Sequence, residues 1–234
     1  MNTIIEEIRQ ELVRHSEEAH RLSARGFFRE EVRLYGVKSA EVTGIAKRIF
    51  KNLTNKSKDN IFSHCEELWK SGMLEESFIA CNWSYNVRTE FEPSDIEIFG
   101  YWVDRYISNW VSCDTFCNHT VGALVEMFPQ SIRILKKWTG SANRWMRRAS
   151  AVSLIIPARK GLYLEEIFEI ADILLLDKDD MVQKGYGWML KSASHLHKME
   201  VFDYVYRNKG IMPRTSLRYA IEKMPRELRI KAME

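Results

Sequence analysis

The chain has 234 residues, 45% hydrophobic and 12% aromatic, which fits a folded globular protein with a sizeable core and excludes an intrinsically disordered one. Its formal net charge is only +3, but residues 1–129 hold 15 Lys/Arg against 20 Asp/Glu and residues 130–234 hold 20 against 12. The balance therefore runs from −5 to +8, and a basic second half points to a polyanion partner, although a solvated surface has the same composition.

The opening MNTIIEEIRQEL is acidic and amphipathic, which does not read as a signal peptide. Thr3 and Glu6 have capping-box spacing there. Val42, Ile45, Ala46, Ile49 and Phe50 follow the i, i+3, i+4, i+7, i+8 template of one buried helical face. Ser94 and Glu97 form a second capping-box pair, just after Pro93 stops the preceding helix. The helical template returns at Val121, Leu124, Val125 and Phe128, and again at Leu164, Ile167, Phe168, Ala171 and Leu175. It recurs at Val182, Gly185, Tyr186 and Met189, and finally at Leu217, Ala220, Ile221 and Met224. Pro129, Pro157, Pro213 and Pro225 fall near the breaks, and polar stretches at 56–60, 177–180 and 208–210 serve as connections.

No alternating strand pattern or hairpin dipeptide is present, and no apolar run approaches the roughly 18 residues of a membrane span. The expectation is a single all-α domain over residues 1–234, built from about a dozen short helices. Short helices cannot each bury an apolar face alone. Stacked in pairs they form a curved solenoid with a concave surface, whereas an up-down bundle would use fewer, longer helices.

Three segments place a tryptophan about one helical turn before a charged residue: Trp110 and Asp114, Trp145 and Arg148, Trp188 and Lys191. The strings WMRRAS and WMLKSAS nearly repeat, with their tryptophans 43 residues apart, and Trp110 lies 35 residues before Trp145. Such spacings match helical-pair repeats of the HEAT and armadillo kind. If equivalent helices stack, indoles, a carboxylate and two cations collect on one surface, a combination suited to DNA.

LYGVKSAE from residue 34, NWVSCD from 109, NRWMRRAS from 143 and KGYGWMLK from 184 occur in the order and approximate spacing of AlkD-type DNA alkylation repair enzymes. The chain resembles that family from about residue 20 to residue 224. The resemblance implies a HEAT-like fold and a DNA glycosylase that excises cationic alkylpurines, typically 7-methylguanine and 3-methyladenine, without flipping the base into a pocket. It further implies that Trp110, Asp114 and Trp188 stand around the lesion's deoxyribose and that Arg148 meets the phosphate backbone. Two positions depart from the family pattern: Val111 stands where Asp is common, and Phe27 replaces a second-helix Tyr that helps hold DNA.

The chemistry wants these residue types. Alkylation at N7 or N3 makes the purine a cationic leaving group, and its departure leaves positive charge on the sugar. A fixed carboxylate such as Asp114 stabilises that charge and can orient the attacking water, and no strong general acid is required. Indole faces attract the cationic sugar or base by about 0.5–2 kcal/mol each. Arg148 can grip a phosphate bidentately, and Lys136, Lys137, Arg144, Arg147, Lys191, Arg214 and Arg218 are further candidates for backbone contacts. No lysine stands out as a Schiff-base nucleophile, so the expectation is a monofunctional hydrolase with no metal or cofactor, acting on double-stranded DNA as a monomer.

Structural explanations stand beside each of these. Tryptophan at helical spacing packs cores, Asp114 could cap the helix that follows it, and Arg148 could be one end of a surface ion pair. Cys113, Cys117 and His119 imitate half a metal site but lack a fourth ligand, and nothing identifies a base for a Cys113 nucleophile. His195 and His197 read as solvated, and Asp177, Asp179 and Asp180 as capping residues rather than magnesium ligands. Four cysteines in helical patterns (Cys65, Cys81, Cys113, Cys117) suit reduced thiols in the cytoplasm. The rival class is a non-catalytic helical-repeat module that binds nucleic acid or protein, and Val111 and Phe27 also raise a degenerate relative that binds damage without excising it.

Overall fold

Helical hydrogen bonding organises residues 3–234, the part of the chain that the computed structural model describes. The chain divides into two compact units, Met1–Phe116 and Cys117–Glu234. The first contains α1 (Thr3–Arg14), α2 (Glu18–Arg25), α3 (Ser39–Asn52), α4 (Lys58–Lys70), α5 (Leu74–Asn86), α6 (Asp95–Tyr106) and α7 (Trp110–Phe116). The second opens with a five-residue π-helix, Cys117–Val121, and continues with α8 (Gly122–Met127), α9 (Ile132–Trp138), α10 (Arg144–Val152) and α11 (Ile155–Arg159). It ends with α12 (Leu164–Leu174), α13 (Asp180–Ala193), α14 (Lys198–Asn208), α15 (Arg214–Ile221) and α16 (Arg226–Met233). Among the described residues the sole extended pairing is an isolated parallel bridge between Arg33 and Met73, so the fold is all-helical.

Burial follows the predicted stripes. On α3, Val42, Ile45, Ala46 and Ile49 are buried and pack on α5, while Phe50 lies half-buried at the stripe's edge. The Trp83 indole of α5 reaches across to donate to the Ala46 carbonyl at 3.0 Å. Deeper in this unit Phe99 meets Phe116 edge-on at 5.5 Å, and Trp69 meets the same ring at 5.5 Å. Such edge-to-face pairs add about 0.5–1.5 kcal/mol each beyond their buried area.

The capping-box expectations fare differently. Ser94 precedes α6 but makes no side-chain cap, because its own backbone is already helical (φ −69°, ψ −21°) where a capping serine needs an extended one. The Asp95 carboxylate does related work, accepting from the Glu92 amide at 2.8 Å and pairing with Lys58 at 3.1 Å. Thr3 is the first residue of α1, and the capping position before it lies outside the described residues.

Two adjacent acids inside α5 anchor the LYGVKSAE segment. The Glu75 carboxylate accepts from the backbone amides of Tyr35 (3.0 Å), Gly36 (2.8 Å) and Val37 (3.1 Å). Glu76 takes Arg9 bidentately at 3.1–3.3 Å and the Tyr35 hydroxyl at 2.7 Å. Burial and this bond to a carboxylate push the Tyr35 phenol well above its usual range, so it remains a donor. Gly36 sits at φ +92°, where a β-carbon would lie 2.7 Å from the Glu17 carbonyl.

In the second unit α13 is the central element, packed on α10, α11, α12 and α15. The KGYGWMLK string explains how. Gly187 lets α15 approach so closely that a β-carbon would stand 2.7 Å from Tyr219 Cβ and 2.8 Å from the Ser216 carbonyl. Between the two glycines, the Tyr186 hydroxyl bonds the Leu175 carbonyl at 3.1 Å and Ser216 Oγ at 2.6 Å. Gly187→Ala gains about 1 kcal/mol of helix propensity but forces two backbones apart, an overpacking cost of about 1–3 kcal/mol. A net loss of stability is expected in urea denaturation, with the m-value unchanged. A midpoint above wild type would show that α15 yields without cost.

Candidate functional site

The first unit presents Trp110 and Asp114 on α7. The Asn109 side chain caps this helix, its Oδ1 accepting from the Ser112 amide at 2.9 Å. Asp114 is therefore the fifth helical residue, inside α7 and not at a helix N-terminus, which overturns the alternative that it caps the following helix. A spacing of four puts Trp110 and Asp114 on one face of α7. Asp114 is only 9% exposed, while Trp110 is half-buried against Phe28, ring centroids 6.2 Å apart and tilted by 35°.

Phe28, which no motif announces in the sequence, connects two motifs. It packs on a cluster of Val32, Leu34 and Leu74, so the segment that Glu75 grips also backs the ring that supports Trp110. α7 is fastened to α5 by a hydrogen bond between Ser112 Oγ and Ser77 Oγ at 2.8 Å. Nothing in the sequence around Glu75 and Glu76 announces that they anchor the segment behind Phe28. Phe27 itself is 74% exposed and lies beyond the end of α2 at Arg25, in a turn and not within the second helix as expected. After Arg25 the helical pattern gives way to turn bonds, from the Gly26 amide to the Ser23 carbonyl (3.2 Å), Phe27 to Ala24 (3.2 Å) and Phe28 to Arg25 (3.1 Å).

In the second unit Trp188 is half-buried on α13, one turn before Lys191. Lys191 pairs with Glu222 at 2.9 Å and stands 5.5 Å over the Tyr219 ring. Trp145, by contrast, is only 6% exposed, so of the three repeated tryptophans it is the one that serves the core.

Arg148 differs from the open clamp that the sequence suggested. It is 4% exposed, donates to the Met181 carbonyl at the start of α13, and carries Gly185 against its aliphatic stem, where a β-carbon would meet Cγ at 3.2 Å. A guanidinium so enclosed ties α10 to α13, and gripping a phosphate would cost it that bond.

The other basic candidates fall into two groups. Arg144 pairs with Asp179 (3.0 Å) and Asp180 (3.8 Å), and Arg147 with Asp177 (2.6 Å) and the carbonyls of Ser141 and Ala142. Lys136 pairs with Glu169. Lys137, Arg214 and Arg218 are exposed, with Arg214 donating to the Met233 carbonyl at 3.4 Å. Pairs partly open to solvent, such as those of Arg144 and Lys136, are weak and exchangeable for a phosphate, whereas Arg147 is held by three partners. The second unit holds 20 Lys/Arg against 13 Asp/Glu, an excess of +7.

Asp179 caps α13, accepting from the Met181 amide at 2.9 Å and the Val182 amide at 3.3 Å, in line with the capping expectation for that acidic loop. Among the described residues no group of three or more His, Cys, Asp or Glu is placed to hold a metal. All four cysteines are buried as free thiols, and burial pushes Cys65 and Cys81 up, away from thiolate character. His197 is not solvated as expected: it bonds the Gly161 carbonyl at 3.0 Å, in a contact that the positive φ of Gly161 (+76°) permits. Among the described residues no helix is long and apolar enough to cross a membrane.

A family model described as DNA alkylation repair enzyme matches residues 8–224 of the chain. Among solved structures, a predicted DNA alkylation repair enzyme from Enterococcus faecalis aligns with a TM-score of 0.79 at 14% identity, covering 91% of this chain and 98% of that one. At that identity the likeness is one of fold. No curated protein matches the sequence.

Proposed function

Since the chain belongs to the DNA alkylation repair enzyme family, with DNA as the substrate that such repair implies, we propose that it hydrolyses the N-glycosidic bond of cationic N7- and N3-alkylated purines in duplex DNA. The observation that carries this reading is Asp114, a largely buried carboxylate fixed in α7 one turn after a half-buried tryptophan. A binding-only protein has no use for a carboxylate next to an aromatic ring on a DNA-facing helix, since it repels phosphate. A glycosylase does, because the sugar becomes positively charged as the base departs.

In this reading Asp114 stabilises the oxocarbenium-like sugar and orients water toward C1′, and its fixed position means little reorganisation as charge develops. Trp110, propped by Phe28, offers its indole face to the cationic sugar. Trp188 is the aromatic DNA contact of the second unit. Phe27, 74% exposed, lies along the duplex without the hydroxyl that a tyrosine would give to a phosphate. Lys137, Arg214 and Arg218 take phosphates directly, with Lys136, Arg144 and Lys191 exchanging their carboxylate partners for DNA. Arg147 and Arg148 enter as positioning residues that hold α10 to the loop before α13 and to α13 itself.

The reading is tested with a duplex carrying radiolabelled N-methyl groups: time-dependent release of label as free methylated purine supports it. Retention of all label on DNA that the protein binds would move the chain to the binding-module class. A second expectation concerns affinity. Lys137→Ala and Arg218→Ala weaken duplex binding uniformly across sequences and reduce the slope of log K against log salt by about 0.9 each. Unchanged slopes in fluorescence anisotropy would remove these residues from the interface.

A further inference from the structure

The first unit holds a recess whose chemistry is opposite to that of a DNA-binding surface. Between α4 and α6 lies an open groove of about 590 Å³, lined by Asp59, Phe62, Glu66, Glu97, Ile98, Tyr101 and Trp102. Its floor is aromatic: Phe62 and Trp102 are buried and meet edge-on at 5.3 Å within the core. Its wall is apolar yet solvent-facing, with Tyr101 50% and Ile98 39% exposed. Its rim is acidic.

The carboxylates are not equivalent. Glu66 is engaged by Lys70 at 3.4 Å and by the Tyr106 hydroxyl at 3.3 Å, and Tyr106 in turn bonds the Tyr101 hydroxyl at 3.2 Å. This chain of contacts fixes the Tyr101 ring. Asp59 and Glu97 are exposed and make no ion pair among the described residues. The adjacent cation, Lys58, is already taken by Glu92 and Asp95. First-turn positions on α4 and α6 account for acids there through the helix dipoles, but not for an open aromatic wall between them.

We propose that this groove docks an arginine-bearing segment of a protein partner. Guanidinium is the group that answers both halves of the site at once. Its planar face stacks on Tyr101, and its edge donors meet Asp59 and Glu97. The acidic rim of Asp59, Glu66 and Glu97 favours a cationic partner and repels nucleic acid from this groove.

The probe is a fluorescein-labelled eight-residue peptide of alternating glycine and arginine, with a second peptide carrying citrulline at each arginine position. Binding to the full chain is read by anisotropy at low salt. Asp59→Asn/Glu97→Gln and, separately, Tyr101→Ala each weaken binding about tenfold, the loss expected from exposed ion pairs or a cation–π contact together with groove shape. The charge-matched control Glu7→Gln/Glu31→Gln, at exposed positions of the same unit outside the groove, changes binding less than twofold. Circular dichroism melts confirm that each variant is folded, as surface positions predict. Equal loss in the groove and control variants would reduce the effect to general electrostatics and overturn the proposal. So would equal binding of the citrulline peptide, or competition by duplex DNA that the Tyr101→Ala change abolishes.

Discussion

Asp114→Asn is expected to lower the rate of 7-methylguanine release by about 10²- to 10³-fold, the range for removing one preorganised group that stabilises transition-state charge. Asparagine has the carboxylate's shape, so the helix and its packing survive, but the charge opposite the developing oxocarbenium ion is gone. Affinity for duplex DNA stays the same or tightens, because one negative charge near phosphate has been removed. Single-turnover release and anisotropy on the same preparation check both halves. A parallel fall in melting temperature, activity and binding would instead make Asp114 a structural residue of α7. Asn109 already supplies the helix cap, so the structure gives Asp114 no capping role to lose.

Glu75→Ala is the second large effect, and it acts at a distance. Three backbone amides at residues 35–37 lose their acceptor inside the protein, and breaking a buried charged network of this kind costs about 3–5 kcal/mol. The 34–37 segment then loosens, Leu34 no longer backs Phe28, and Phe28 no longer fixes Trp110. Lower stability in urea and slower base release at temperatures where the variant is still folded are both expected. Glu75→Gln retains one acceptor oxygen and falls between. Should Glu75→Ala lose stability but release base at the wild-type rate when folded, the line from α5 through Phe28 to Trp110 would not support catalysis.

The two effects show what could be read from the sequence and what could not. Helical periodicity located the buried faces of α3, α12, α13 and α15, because an amphipathic stripe leaves its mark every three to four residues. The near-repeat of WMRRAS and WMLKSAS drew attention to Trp145 and Trp188, but spacing alone does not say which indole is core. Trp145 is buried and Trp188 is half-buried because of neighbours on other helices. The burial of Arg148 is equally hidden in the sequence: a cation beside a tryptophan looks like a surface group until α13, with glycine at 185, closes over its stem. The Glu75 and Glu76 carboxylates were invisible as site supports, since their partners lie about 40 and, for Arg9, 67 residues away in sequence. Local signals report local structure, and the supports of this candidate site are long-range.

One measurement bears most directly on the proposed chemistry: product analysis after incubation of a duplex containing a single 7-methylguanine with the wild-type chain in ¹⁸O-water. Mass spectrometry is expected to find free 7-methylguanine with its methyl group intact, and an unbroken strand whose abasic sugar has gained ¹⁸O at C1′. Restored guanine in the strand, with the methyl group removed, or an unaltered lesion on DNA that the protein holds, would contradict it.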